Sequence, residues 1–300
     1  MSNLNVEFCG IDFKNPIITA SGTFGNGREY DDFYDIANLG GITVKGIADK
    51  VWNGNPTPRV TETSSGMLNA IGLQNNGVDY FLENELEFLE NKAMNTIVNI
   101  CGHSTEEFIN VIEKLNDTKL AMYELNVSCP NVTKGGIAFG TDAKVLGNVV
   151  KEVKKHCDKP LIIKLSPNVT DITEMAKACE ANGADGISLI NTLLGMQIDI
   201  YKRKTVLANR TGGLSGPAIK PVAIRLVNQV AKATDLPIIG MGGVSNSDDA
   251  IEFIMAGATL VAIGTANFIN PYTPIETVNG IKEFMEKEKI NNLSEIRGII

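Results

Sequence analysis

"LIIKLSP", residues 161–167, runs through three apolar residues into Lys164 and stops at Pro167. The run is too short for a helix, and its Ile and Leu content suits a strand covered on both faces. The same pattern comes before it in "IITAS" (17–21), "GITVKG" (41–46), "IVNICG" (97–102) and "YELNVSC" (123–129). It returns in "GISLINT" (186–192), "PIIGMGG" (237–243) and "LVAIGTA" (260–266). Helical segments separate most of these runs. "HSTEEFINVIEKL" opens with a capping box from Ser104 to Glu107, and "TDAKVLGNVVKEVKKHC" puts Val145, Val149 and Val153 on one face. Strand and helix in alternation imply a parallel sheet with right-handed crossovers. Eight such units close into an α/β fold, a single (β/α)8 TIM barrel. No composition shift or linker divides the chain, so residues 1–300 read as one domain.

Composition narrows the function classes. The chain is 43% hydrophobic and 21% charged, ordinary for a globular protein, and its formal charge of −8 argues against nucleic-acid or anionic-membrane partners. No apolar run reaches membrane-spanning length, and "MSNLNVEFCG" lacks the regions of a signal peptide. The five cysteines, Cys9, Cys101, Cys129, Cys157 and Cys179, are scattered without a Cys-x-x-Cys. They suit neither a disulfide framework nor a structural zinc, and a reducing cytoplasm is the natural setting.

Ser21, Lys45, Asn99, Asn126, Lys164, Asn191 and Thr265 all fall at or near the C-terminal end of their strand. In this fold that end carries the active site. Any one of them could be a satisfied strand-end side chain, but two lysines and three asparagines converging on an apolar ring call for a polar ligand. The joins at 47–77, 130–141 and 193–216 are long, as functional loops are. "SGMLNAIGLQNNG" within the first is apolar and glycine-broken, suited to a wall that a ligand approaches closely, and "TGGLSGPA" ends the third before a helix led by Pro217. "GMGGV" (240–244) and "IGTA" (263–266), after the seventh and eighth strands with "GLSG" beside them, suit a phosphate held by backbone N–H groups.

Phosphate and two lysines leave the chemistry open. Lys164 could form a Schiff base in an aldolase-like lyase, or place a cation beside the N1/O2 edge of a flavin. Asn69, Asn126, Asn131 and Asn191 favour the flavin reading, because paired donors and acceptors match the edge of a pyrimidine ring. A barrel that binds phosphate without catalysis would leave these side chains unexplained. Of the two histidines, His103 immediately precedes the cap Ser104, and His156 lies near a helix end where a cation suits the dipole. Cys129, on the loop leaving the fourth strand, is then the evident acid/base side chain, set against the ordinary reading of a buried thiol.

"NAIGLQN", "ELNVSCPNV", "GGIAFGTD", "IKLSPNVTDI", "LINTL", "TGGLSGPAIKPVA", "GMGGV" and "VAIGTANF" together resemble the dihydroorotate dehydrogenases, and the likeness begins as early as "NPIITASGTFG". "LINTL" and "NPTPRV" are most similar to the class 1B catalytic subunit, and a cysteine at 129 fits class 1. The resemblance implies FMN-dependent oxidation of dihydroorotate to orotate in pyrimidine (UMP) biosynthesis. Cys129 would remove the C5 proton while hydride leaves C6 for flavin N5. It implies FMN contacts at Ser21, Lys45, Gly46, Asn99, Asn126, Lys164, Ile190, Gly216, Gly242, Gly243, Gly264 and Thr265. Lys45, Asn69, Gly72, Leu73, Asn126, Asn131, Asn191 and Thr192 would surround the substrate, and "NVTKGGIAFG" could close over it.

The resemblance also implies an electron route. "GNGREY" and "GMGGVS" both fail the dinucleotide pattern, and the cysteines fit no ferredoxin spacing. FAD and a [2Fe-2S] cluster would therefore sit on a partner subunit that passes electrons to NAD. This chain would pair as a homodimer within a heterotetramer and dock its partner through an exposed apolar patch. A class 1A enzyme would use fumarate instead and need no partner.

Overall fold

The computed structural model describes residues 3–128 and 139–300. Its centre is a ring of parallel strands: β1 (Ile17–Thr19), β2 (Gly41–Ile47), β3 (Asn95–Ile100), β4 (Met122–Asn126), β5 (Leu161–Lys164), β6 (Gly186–Leu189), β7 (Ile238–Met241) and β8 (Leu260–Ile263). Hydrogen bonding runs β1-β8-β7-β6-β5-β4-β3-β2. Between β1 and β2 the ring closes differently. Gly40 N–H donates to Ile17 O (2.9 Å), and Thr43 N–H donates to the Thr19 hydroxyl (3.3 Å). Asn15 stiffens this seam, its Oδ1 accepting from both Gly40 N–H and Ile17 N–H. The result is the (β/α)8 barrel expected from the alternation of the sequence.

All eight strands lie where the apolar runs put them, but most stop short of the ends read from sequence. β4 ends at Asn126 rather than at residue 129, and β7 ends at Met241. Regular pairing stops where polar and glycine residues begin, which frees those residues to face the mouth. Helices Thr105–Leu115, Ala143–Lys154, Ile172–Ala181, Lys220–Ala231, Ser247–Met255 and Thr273–Glu288 follow β3 to β8, and Gly77–Asn84 and Leu86–Asn91 follow β2. Side chains of Ser104, Asp142, Asp171 and Asn246 accept first-turn N–H groups, satisfying donors that have no partner within the helix. The capping box is half as expected. Ser104 Oγ takes Glu107 N–H (3.2 Å), but the Glu107 carboxylate takes the N–H of His103 (2.7 Å). Val149 and Val153 are buried, with Val145 packed against the same core.

The two ends of the barrel are closed by different devices. Below, a hairpin of Val6–Phe8 and Ile11–Phe13 inserts Phe8 and Phe13, both fully buried, under the strand starts. Above, the sequence led us to expect loops, and the structure holds an antiparallel sheet. Strands Leu193–Met196, Thr211–Ser215, Gly66–Asn69 and Val60–Thr63 pair in that order, so the excursions after β2 and β6 form one roof. Pro217 opens a 3-10 turn, Pro217–Ile219, ahead of the helix it was expected to lead. Among the described residues no helix is long and apolar enough to cross a membrane.

Candidate active site at the mouth of the barrel

Residues two apart on a strand share a face, and register carries that face from strand to strand. Asn99, Glu124 and Ile162 are register partners across β3, β4 and β5. One layer nearer the mouth, Asn126, Lys164 and Ser188 are partners across β4, β5 and β6. Both layers face inward, because Lys164 Nζ reaches Ser21 Oγ (3.4 Å), which follows β1 on the opposite side of the ring. Such a contact has to cross the interior.

Glu124 connects these groups, and the sequence reading passed over it. It lies fully buried within "YELNVSC". Its Oε2 accepts from Asn99 Nδ2 (2.6 Å) and stands 3.4 Å from Lys164 Nζ. Its other oxygen, Asn99 Oδ1 and Ser188 Oγ are buried with no hydrogen-bond partner among the described residues. The available signal was a charged residue two positions before Asn126, on the inward face of an apolar strand. Buried carboxylates of that kind are rare unless paired.

Higher in the mouth, Asn126 Oδ1 accepts from Ser128 N–H (3.2 Å) and Asn191 Nδ2 (3.4 Å). Asn191 Oδ1 in turn accepts from Thr192 N–H (2.7 Å). Thr192 packs against Gly213 so closely that a Cβ on that glycine would lie 2.0 Å from its Oγ1. Asn69 Nδ2 donates to Gly213 O (3.4 Å), which joins this group to the roof. Gly72 and Leu73 follow with φ of 74° and 53°. For a bulky side chain such as Leu73, that left-handed backbone is uncommon.

Lys45 is half-buried near the end of β2, and its N–H donates to Gly25 O (2.9 Å). Burial holds its ammonium below the ordinary lysine range. Arg59 pushes in the same direction and Cys101 opposes it. Gly46, next in the chain, packs on Asn99: a Cβ there would lie 2.9 Å from Asn99 Oδ1.

On the far side, Gly216 and Gly243 meet. Their φ values are 97° and 82°, and a Cβ on Gly243 would fall 2.8 Å from Gly216 O and 2.9 Å from Lys220 N. Only glycine fits. Gly242 precedes this contact, and Ile190 is buried beneath it, its N–H donating to Met241 O (3.0 Å). Thr265 donates its hydroxyl to Ser215 Oγ (2.8 Å), and a Cβ on neighbouring Gly264 would meet only Ala20, at 3.5 Å.

The described sequence-selected residues therefore gather at one mouth. Cys129 and Asn131, with the rest of 129–138, lie outside the described residues. His103 lies against Trp52 with the rings tilted by 47° (4.1 Å between centroids) and sits 3.5 Å from Glu107, while His156 pairs with Glu113 (2.8 Å). Cys9, Cys157 and Cys179 have their thiols pushed up to about 12, chiefly by burial. Among the described residues no group of acidic, cysteine and histidine side chains could hold a metal ion.

Barrel and mouth define a class: a (β/α)8 protein with a glycine cradle on one side, a polar interior and an amide-lined entrance. Residues 3–285 match the dihydroorotate dehydrogenase family. A dihydroorotate dehydrogenase B (NAD(+)) catalytic subunit from Lachnoclostridium phytofermentans is 57% identical over 298 residues, 99% of each chain. Proteins of the same description from Alkaliphilus metalliredigens and Petrotoga mobilis are 57% identical over 296 residues and 51% identical over 300. The first pair is covered to 99% and 98%, the second to 100% of both chains. The chain belongs to the dihydroorotate dehydrogenase family and is an oxidoreductase.

Proposed function

We propose that this chain oxidises dihydroorotate to orotate with FMN in pyrimidine biosynthesis, as the catalytic subunit of an NAD-linked enzyme. The observation that carries the reading is near-full-length identity of 57% to relatives described as dihydroorotate dehydrogenase B (NAD(+)), catalytic subunit. The mouth is consistent with it. Gly216 and Gly243 pack backbone against backbone with no room for a Cβ, a close approach that suits loops offering N–H groups to a phosphate. Lys164 and the buried polar atoms around Glu124 suit a heterocycle rich in donors and acceptors. FMN held there would supply the acceptor for the hydride leaving C6 of dihydroorotate.

The remaining work falls to side chains of this chain. Lys45 meets the substrate carboxylate, while Asn69, Asn126, Asn131, Asn191 and Thr192 read the ring, with Gly72 and Leu73 shaping the wall. Cys129 takes the C5 proton as thiolate. Ser21, Gly46, Asn99, Ile190, Gly242, Gly264 and Thr265 complete the cofactor surround. Residues 1–300 form one functional barrel in the cytoplasm. Electrons leave to a subunit carrying FAD and a [2Fe-2S] cluster, within a heterotetramer built on a homodimer of this chain. The lyase reading fits less well. A Schiff-base lysine must leave its amine free to attack a carbonyl, whereas Lys164 Nζ is engaged by Glu124 Oε2 and Ser21 Oγ, each at 3.4 Å.

The test uses the purified chain. Denaturation should release FMN. Cys129→Ala should keep flavin and bind orotate, yet reduce flavin with dihydroorotate on the order of 10²–10⁴ times more slowly. Cys129→Ser should recover partly in alkali, because a hydroxyl needs a higher pH to act as base. Reduction at the wild-type rate in Cys129→Ala would remove Cys129 as base. A borohydride-trapped adduct on Lys164 would favour the lyase.

A further inference from the structure

We infer that Glu124 is a positioning residue for Lys164, and that its carboxylate limits how much positive charge the barrel presents to the flavin. The inference rests on the FMN reading above. Glu124 lies one register layer deeper than Lys164, in the row of Asn99 and Ile162, while Lys164 shares its row with Asn126 and Ser188. A ligand entering at the strand ends meets the upper row first. Glu124 therefore acts from behind, through the groups it holds.

Two donors converge on it. Carboxylate oxygens only accept, so the Asn99 amide has to turn its NH₂ toward Glu124, at 2.6 Å, and its carbonyl oxygen the other way. Lys164 Nζ points at the same oxygen, 3.4 Å away, with the two side chains 7% and 1% exposed. This ammonium is held between Glu124 and the Ser21 hydroxyl, also at 3.4 Å. Its direction is thus fixed from both sides of the barrel.

Folding stability alone does not explain such a pair, because apolar residues of similar volume can usually replace a buried ion pair without loss. The electrostatic consequence does explain it. A lone lysine at the N1/O2 edge would strongly favour the anionic reduced ring. With a carboxylate directly behind it, Lys164 and Glu124 together carry no net charge toward that ring. Glu124 thereby keeps the flavin harder to reduce than Lys164 alone would make it, which eases onward transfer of electrons.

The experiment measures the midpoint potential of the FMN-loaded protein by equilibration with a reference dye, for wild type, Glu124→Gln, Lys164→Met and the double variant. Glu124→Gln should tip the two-electron equilibrium about tenfold toward reduced flavin, an upward shift of ~30 mV. In the Lys164→Met background the same substitution should produce a smaller shift, because only the direct effect of the Glu124 charge is then left to remove. An unchanged potential in flavin-loaded Glu124→Gln, or an equal shift without Lys164, overturns the inference and leaves the FMN reading intact. Failure of the wild-type chain to take up FMN overturns both. Should Glu124→Gln not retain flavin, urea unfolding of the apoproteins decides. Each single variant should lose stability and the double variant regain it, whereas additive losses overturn the pairing.

Discussion

Lys45 brings a charge to a half-buried place and has no carboxylate among the groups that shift it. Burial is the main cause of its lowered proton affinity, with Arg59 adding to it. The folded chain therefore holds this proton less tightly than the unfolded chain does. Between the lowered value and the ordinary 10.5, Lys45 makes folding more favourable as pH rises. Ligand binding has the opposite sign. An incoming carboxylate favours the ammonium, so orotate should bind with proton uptake and lose affinity as pH climbs through the lowered value. Lys45→Met should weaken orotate about 10- to 100-fold at neutral pH, the range of a hydrogen bond to a charged group, and flatten the alkaline limb. Titrating flavin absorbance with orotate between about pH 7 and 10 checks it, since the limb lies below the ordinary lysine value. An unchanged limb in the variant would show that another group titrates. At this scale sequence served well for lysines and asparagines, because polar side chains stand out at the ends of apolar strands. Glu124 escaped notice because its importance depends on Asn99 and Lys164 meeting it from two other strands.

The strands were legible element by element. A run such as "LIIKLSP" is buried on both faces and shows its length directly in its apolar residues. The roof was not legible. Gly66–Asn69 pairs with Thr211–Ser215, well over a hundred residues on, and no local periodicity announces that partner. The glycine cradle is a similar case. "GMGGV" and "GLSG" each suggest a close approach, but only the fold puts Gly243 against Gly216. Gly243→Ala would force a side chain into a backbone with φ of 82° and to within 2.8 Å of Gly216 O, a strain of roughly 1–3 kcal/mol if the cradle stays closed. The cradle should open instead, weakening FMN about tenfold or more while riboflavin, which lacks the phosphate, is weakened less. Fluorescence titration of the apoprotein with both compounds reads the difference. Equal losses would move the phosphate elsewhere.

At the scale of the whole molecule, two clusters of exposed apolar side chains stand out among the described residues. Leu193–Met196 is an edge strand of the roof, and Leu194, Met196, Ile198, Ile200 and Tyr201 are exposed along and beyond it. An open apolar edge invites pairing with its own kind, which a two-fold axis satisfies. Phe268, Ile269, Tyr272 and Phe33 form the second surface, just beyond Thr265, and Phe33 and Tyr272 meet edge to face at 5.9 Å. Its place beside the proposed cofactor suits a subunit that receives electrons. Leu194→Asp with Ile200→Asp should turn a dimer into monomers in sedimentation. Ile269→Asp should leave flavin reduction by dihydroorotate unchanged while slowing NAD reduction in the presence of the partner. The reverse assignment would exchange the two results.

By itself, the sequence determined the barrel and most of the polar residues that stand at its mouth. Apolar strands with polar ends, repeated eight times around a chain of 300 residues, leave little choice about how they close. Tertiary structure decided which of those residues touch. It brought Ser21 to Lys164 across the interior, set Glu124 beneath them, and joined two distant loops into a roof over the mouth. Strand pattern is a local property, fixed by which side chains avoid water. Contacts across a barrel depend on register and closure, and these exist only once all eight strands have met.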